Sequence, residues 1–226
     1  MPADAPDAAD APDPHDPSPA VPGGAYLEPY RQAVADLGAG FAATLWGSEE
    51  TQRLRFDILD SMLPLHGRRI VDLGCGQGDL LVHLRRVGVE PADYLGLDAM
   101  EPMIRHARER QLPGARFAVA DLVRDAAVVR AAGAEVACIS GTLNTMSLEQ
   151  ARRLVAVAFE ASSVGVVFNF LSDRHHPRWA DRNLTPARRF DAVDWLDWSL
   201  GHSSRVRFDQ SYLDGHDATI AIMHDG

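Results

Sequence analysis

The sequence predicts a doubly wound α/β fold: a mostly parallel seven-stranded sheet with helices on both faces and an antiparallel hairpin at its C-terminal end. Two observations predict it. Between residues 70 and 171, short apolar runs alternate with amphipathic stretches of helical spacing. Two further runs, 206–213 and 218–224, then flank a short Asp214-Gly215 turn region, the pattern of a hairpin.

Each element has its own justification. From residue 26 to 63 the pattern is helical, with Leu54, Ile58 and Leu59 at helical spacing beside Phe56 and Met62, and Pro64 closes the run. Residues 70–73 form the first strand, and 79–87 a helix with Leu80, Leu81 and Leu84 on one side. Residues 93–97 are the second strand, followed by a helix with Pro102 in its first turn and Met103, Ile104 and Ala107 beyond. The third strand is 116–120, and its helix runs through Val123, Val128 and Val129 to Gly133. The fourth strand is 135–139; Ser147 and Gln150 then form a capping box for a helix through Leu154 and Val157. Residues 164–171 complete the parallel set.

Composition narrows the class. Apolar residues make up 46% and charged residues 24%, a balance that builds a globular core. The formal net charge is −10, and all 22 basic residues are arginine. An acidic chain is a poor neutraliser of phosphates, which argues against nucleic acid and against an anionic membrane surface as partner. The two cysteines, Cys75 and Cys138, form neither a disulfide framework nor a zinc knuckle. No apolar stretch approaches the ~20 residues of a membrane helix. The expectation is a soluble, cytoplasmic chain with one folded domain over 23–226. Residues 1–22 hold seven of the 14 prolines and five aspartates, which predicts a disordered acidic tail without the basic start or apolar centre of a secretory signal.

The most informative stretch is Val71-Asp72-Leu73-Gly74-Cys75-Gly76-Gln77-Gly78-Asp79, where a buried strand hands over to a helix. Glycines there let the backbone turn tightly and approach a ligand at the helix N-terminus. A dinucleotide fingerprint needs G-x-G-x-x-G, but Asp79 stands where its third glycine belongs. There is no G-K-[ST], so a nucleoside triphosphate loop is excluded.

The pattern D-x-G-x-G-x-G from Asp72 to Gly78 resembles the first motif of the class I S-adenosylmethionine-dependent methyltransferases, a Rossmann-like fold. The resemblance extends over about residues 54–224. It implies that Asp72 meets the methionine ammonium and that the loop residues Gly74, Cys75, Gly76 and Gly78 pass against the cofactor. It makes Asp98, at the end of the second strand, the acid that accepts the ribose hydroxyls; an Asp at that place also serves as a helix cap. Ala99 and Met100 pack against adenine, while Asp121 and Leu122 meet the adenine edge, although Asp121 reads equally as a cap. Ser140 and Gly141 follow the fourth strand, against the methionine half. Trp46 and Arg53 lie on a helical cap, 23–64, that in relatives folds over the cofactor. Arg53 would pair with the methionine carboxylate, and Tyr26, Tyr30 or Trp46 would close the pocket.

The implied reaction is displacement at the methyl carbon of a sulfonium. That group already carries the activation, so no metal is expected, and the product is S-adenosylhomocysteine. Residues 172–204 form an insertion on the acceptor side. Candidates for acceptor chemistry are His175 and His176, which are suited to proton removal, and Asn144 and Asn169, which orient an acceptor or satisfy local backbone groups. The arginines from 174 to 188 either bind a carboxylate or phosphate on the acceptor or form a surface network. Residues 196–198 read as core or as a hydrophobic lid.

A small-molecule acceptor is favoured, with a protein or peptide next. Amino-methylating enzymes of nucleic acid carry N/D-P-P-Y/F after the fourth strand, whereas this chain has Ser140-Gly141-Thr142-Leu143. Two alternatives remain open: a non-catalytic S-adenosylmethionine-binding protein, and an NAD(P)-dependent oxidoreductase, against which Asp79 and Asp121 speak. Acceptor atom and oligomeric state are not encoded in these motifs.

Overall fold

The computed structural model describes residues 24–225; the acidic tail expected over 1–22 lies outside them. Seven strands alternate with helices in chain order. These are β1 (Arg69–Leu73), β2 (Asp93–Asp98), β3 (Ala115–Val119), β4 (Val136–Ile139), β5 (Gly165–Leu171), β6 (Arg205–Asp209) and β7 (Asp217–Met223). The sheet order is β3-β2-β1-β4-β5-β7-β6. Pairings among β1 to β5 are parallel, and β7 runs antiparallel between β5 and β6. The order reverses between β1 and β4, which opens a crevice at the carboxyl ends of those strands.

Helices α1 (Glu28–Leu37) and α2 (Glu49–Met62) precede β1. Helices α3 (Asp79–Arg86), α4 (Glu101–Glu109), α5 (Ala126–Arg130) and α6 (Leu148–Ala161) make the crossovers, and α7 (Ala192–Leu200) precedes the hairpin. Side chains on β5 alternate between two layers: Val166, Phe168 and Phe170 pack in the cluster that holds α6 and α7, and Val167 packs with α2 and α3. The period of two puts each strand's alternate residues into opposite cores. The capping box of α6 is present, with Gln150 N donating to Ser147 Oγ at 3.2 Å and Ser147 N donating to Gln150 Oε1 at 3.1 Å.

Three local readings change. The buried face of α2 is Gln52, Arg55, Phe56, Leu59 and Met62, so Leu54 and Ile58 sit on its flanks and a charged residue faces inward. The strand expected over 206–213 ends at Asp209. Asp209 Oδ1 accepts from Ser211 N at 2.7 Å, and Tyr212 turns inside to place its hydroxyl 2.7 Å from Thr219 Oγ1, so a longer turn replaces a tight hairpin. Residues 196–198 belong to α7, whose fully buried Trp195 lies 5.0 Å from Phe168 and 5.6 Å from Phe170 between ring centroids. This helix is core rather than lid.

Candidate functional site

Beyond β1 the chain turns because its next two amides, Gly74 N and Cys75 N, both donate to Leu97 O at the end of β2, at 2.8 and 3.0 Å. Gly74 takes a left-handed φ of 84°, and a Cβ there would run into the Thr142 side chain. Gly78, with φ 82°, opens α3, and a Cβ would stand 2.9 Å from the Phe117 ring. Both positions therefore need glycine for packing as well as for conformation. Gly76 lies between them and donates its N–H to Asp98 Oδ2 at 2.9 Å.

Two acids stand beside this loop, Asp72 buried and Asp98 half-buried. Asp98 Oδ1 also accepts from Met100 N at 2.8 Å, so both oxygens are oriented by backbone amides while each keeps a further lone pair. Burial pushes the Asp98 carboxyl up, against the pull of those two N–H groups. Asp72 is 3% exposed and accepts a short hydrogen bond from the Tyr94 hydroxyl. Burial pushes its carboxyl up to about 7; the Tyr94 bond opposes that rise, and the negative charges of Asp98 and Asp79 add to it. Burial likewise raises the Cys75 thiol, which keeps it protonated and poorly nucleophilic.

These groups line an inner cleft of about 830 Å³. Asp72, Gly74, Cys75 and Gly76 form one wall, Asp98, Ala99 and Met100 a second, and Trp46, Leu122, Ser140 and Gly141 close it. The Ser140-Gly141 bend is held by Asn169, whose Oδ1 accepts from Gly141 N at 2.8 Å and whose Nδ2 donates to Ser140 Oγ at 3.1 Å. Sequence reasoning missed Thr44, Gln52, Phe56, Leu80, Met103 and Thr142 among the walls. Met103 was findable, because it sits one position short of a full turn beyond Met100.

Three expected residues lie elsewhere. Gly78 packs on Phe117, outside the cleft walls. Arg53 pairs with Glu49 at 2.6 Å along α2 and lines a different cleft with Gln77, His83 and Arg110. Asp121 accepts from the Tyr26 hydroxyl at 2.5 Å and from Val123 N at 3.2 Å, so its carboxylate serves the turn before α5 and anchors Tyr26, which itself lines the cleft.

An outer chamber of about 1260 Å³ adjoins the cleft and shares Tyr30, Thr44, Trp46 and Gly141 with it. Its far side is built from residues 179–187 and the segment before β7. Asn144 lines it, but its Oδ1 accepts from Leu171 N at 2.9 Å, so the amide is occupied with backbone. His175 and His176 line neither space; His176 Nδ1 accepts from Arg178 N at 3.2 Å and caps the turn Pro177–Trp179.

The histidine that does line the chamber is His216, 6% exposed and stacked on Trp179 at 4.2 Å. Its Nδ1 lies 2.9 Å from the Arg189 guanidinium, which only donates, so Nδ1 is bare and the ring proton sits on Nε2. Burial pulls the His216 imidazole down to about 3, and Arg189, Arg55 and Arg182 add to that, so the ring is a neutral donor rather than a base. Next to it, Arg55 holds Asp217 by two bonds, Nε to Oδ1 at 2.7 Å and the second guanidinium nitrogen to Oδ2 at 2.5 Å. The same guanidinium lies 4.8 Å over the Trp46 ring. No sequence signal pointed to His216 or to this pair.

Among the described residues, no group of three or more histidines, cysteines or acids is placed to hold a metal, and no helix is long and apolar enough to cross a membrane.

Comparison with known proteins agrees with this geometry. Residues 70–165 match the methyltransferase domain family. The ubiquinone biosynthesis O-methyltransferase of Xylella fastidiosa is 33% identical over 86 residues, which span 35% of this chain and 34% of that protein. The match thus spans about a third of the length of that curated relative. Among solved structures, the magnesium protoporphyrin IX methyltransferase of Synechocystis PCC 6803 with bound S-adenosylhomocysteine superposes with a TM-score of 0.59 at 16% identity, over 88% of this chain and 94% of that one. A methyltransferase from Archaeoglobus fulgidus gives 0.61 at 15% identity, over 79% and 95%. At these identities the likeness is one of fold. Residues 70–165, which hold the glycine loop, thus match the methyltransferase domain family, and the described fold is shared with solved methyltransferase structures.

Proposed function

We propose that the inner cleft binds S-adenosylmethionine and that the outer chamber presents a small-molecule acceptor to its methyl group. The observation that carries this reading is the pair of acids beside the glycine loop, buried Asp72 and half-buried Asp98, lining one cleft with the apolar Ala99, Met100 and Leu122. A carboxylate oriented by two backbone amides suits a ribose diol, and a flat apolar wall suits a purine. The acid at Asp72 suits an ammonium. When bound, the cofactor supplies a methyl group already activated by a sulfonium.

What the chain contributes is alignment. Asp98 and Asp72 fix the two ends of the cofactor, and Trp46 and Tyr30 stand where cleft and chamber meet. Burial pushes the Tyr30 phenol up to about 12, so it stays a hydrogen-bond donor at neutral pH. We assign no proton-removing role to His175 or His176, which line neither space, and give Asn144 a positioning role. Domains of this kind in the named relatives serve small-molecule methyltransferases, which supports the same acceptor class here.

A thermal shift with S-adenosylmethionine, S-adenosylhomocysteine, NAD and NADP in parallel tests the cofactor. Saturation at about 100 times Kd adds roughly 2.7 kcal/mol, or about 5–10 °C. The two sulfur nucleotides alone are expected to shift the wild type, and Asp98→Ala is expected to lose the shift. A response to NAD or NADP alone would overturn the proposal. Arg53→Ala, by contrast, is expected to keep S-adenosylhomocysteine affinity within about twofold, because an exposed helix pair such as Glu49–Arg53 contributes little. Release of methyl-labelled product with an acceptor distinguishes an enzyme from a binding protein.

A further inference from the structure

The outer chamber has a charge pattern opposite to that of the whole molecule. The chain carries a net −10, yet Arg55 and Arg182 line this chamber with one carboxylate, Asp217, and Arg189 stands behind them between Asp217 and Asp173. His216 is neutral between them. Two of the three cations are engaged. Arg55 spends its donors on both Asp217 oxygens and on Thr51 O at 2.8 Å. Arg189 donates to Ser172 O at 2.6 Å, to His216 O at 3.2 Å and to His216 Nδ1.

Arg182 is different. It lines the chamber, and its guanidinium lies 5.3 Å over the Trp179 ring and against Gly47 on the opposite bank. It has no ion pair among the described residues. Arg182 is exposed, and its charge also reaches His216, Asp217 and Arg189 on the chamber's inner side.

A second observation comes from the other bank. Thr145 lines the chamber, is 6% exposed, and its buried Oγ1 has no hydrogen-bond partner. The nearest polar group is the Tyr30 hydroxyl, which Thr145 approaches closely enough to oppose the rise of the Tyr30 phenol. Buried hydroxyls are nearly always paired, so a Thr145 hydroxyl with only the Tyr30 hydroxyl beside it has capacity left for a polar group in the chamber. The remaining walls include Trp46 and Trp179, and His216 offers Nε2–H.

We propose that the outer chamber selects an acceptor bearing an anionic group, a carboxylate or phosphate on a flat apolar body, with Arg182 as the specificity-determining residue and Thr145 as partner to a polar substituent. This rests on the methyl-transfer reading only for the word acceptor; the anion site stands on the chamber's own groups. An arginine at the mouth of a chamber with surplus positive charge, stacked on Trp179 and without a carboxylate partner, is placed to pair with an oxyanion that enters.

The test is calorimetric titration of the full chain, with and without saturating S-adenosylhomocysteine, using two matched pairs of probes: benzoate against benzamide, and phenyl phosphate against phenol. At least one anion is expected to bind about tenfold or more tightly than its neutral partner, and the preferred pair says which oxyanion the chamber takes. Arg182→Gln is expected to erase that preference while S-adenosylhomocysteine affinity stays within about twofold, because Arg182 lies outside the inner cleft. Arg153→Gln, an exposed arginine of α6, controls for net charge and is expected to keep the preference. Equal affinity within both pairs, or a preference that survives Arg182→Gln, overturns the inference. A preserved anion preference without any S-adenosylhomocysteine binding supports the chamber and overturns the cofactor proposal instead.

Discussion

Asp72→Asn is expected to raise the melting temperature at pH 8 by about 10 °C while weakening S-adenosylhomocysteine about 10–100-fold. The two effects share one cause. In the folded chain the Asp72 carboxyl titrates at about 7, chiefly because it is buried, whereas in the unfolded chain it titrates near 4. Between those values the folded state holds a proton that the unfolded state has lost. Stability from this group is therefore complete below about pH 4 and is lost as pH rises through 7, a change of about 4 kcal/mol. Asparagine keeps a partner for Tyr94 and has no proton to lose, so the variant's melting temperature should stay flat where the wild type declines. The ionised carboxylate is the form that meets an ammonium, so wild-type affinity should rise from pH 5.5 to pH 8. Parallel pH profiles of melting temperature for the two proteins, or unchanged affinity in the variant, would contradict this account.

The second large effect concerns Arg55. Its side chain is 6% exposed and that of Asp217 only 2%, so the pair is dry as well as bidentate. Arg55→Met should destabilise the protein by about 3–5 kcal/mol, because it strands a buried carboxylate. Arg55→Met combined with Asp217→Leu should recover most of that loss, since two apolar groups need no partner. Urea unfolding of the wild type, the single variant and the double variant measures the difference. If the double variant is as unstable as the single one, the cost lies in lost packing against Trp46 rather than in the stranded charge.

What the sequence made legible follows from where the physical constraint lies. The loop from Asp72 to Gly78 and the acid at Asp98 were readable because their requirements are local: left-handed backbone, a strand end, a helix start. The parallel sheet with helices on both faces followed from alternation, and the capping box of α6 from a three-residue spacing. The outer chamber was not readable. Arg55 and Asp217 meet across 162 residues, and nothing near either one signals the other. His216 acquires its character from Arg189 and Trp179, which the fold brings to it. His175 and His176 stood out because they follow the fifth strand and histidine suits proton removal, but His176 caps the turn Pro177–Trp179 instead. Arg53 drew notice for its place before β1, yet its spacing from Glu49 already marked a pair along an exposed helix face.

Tyr30, Thr44, Trp46 and Gly141 are walls of both the cleft and the chamber. A party wall of four residues makes the two spaces one thermodynamic system. Whatever one occupant spends in fixing Trp46 over Gly141 the other no longer has to spend, even without touching it. By reciprocity, the factor by which the nucleotide changes the affinity of the chamber's ligand equals the factor by which that ligand changes the nucleotide's. The size of that shared factor is thus a property of the wall, and a substitution at Trp46 is expected to act on both Kd values at once.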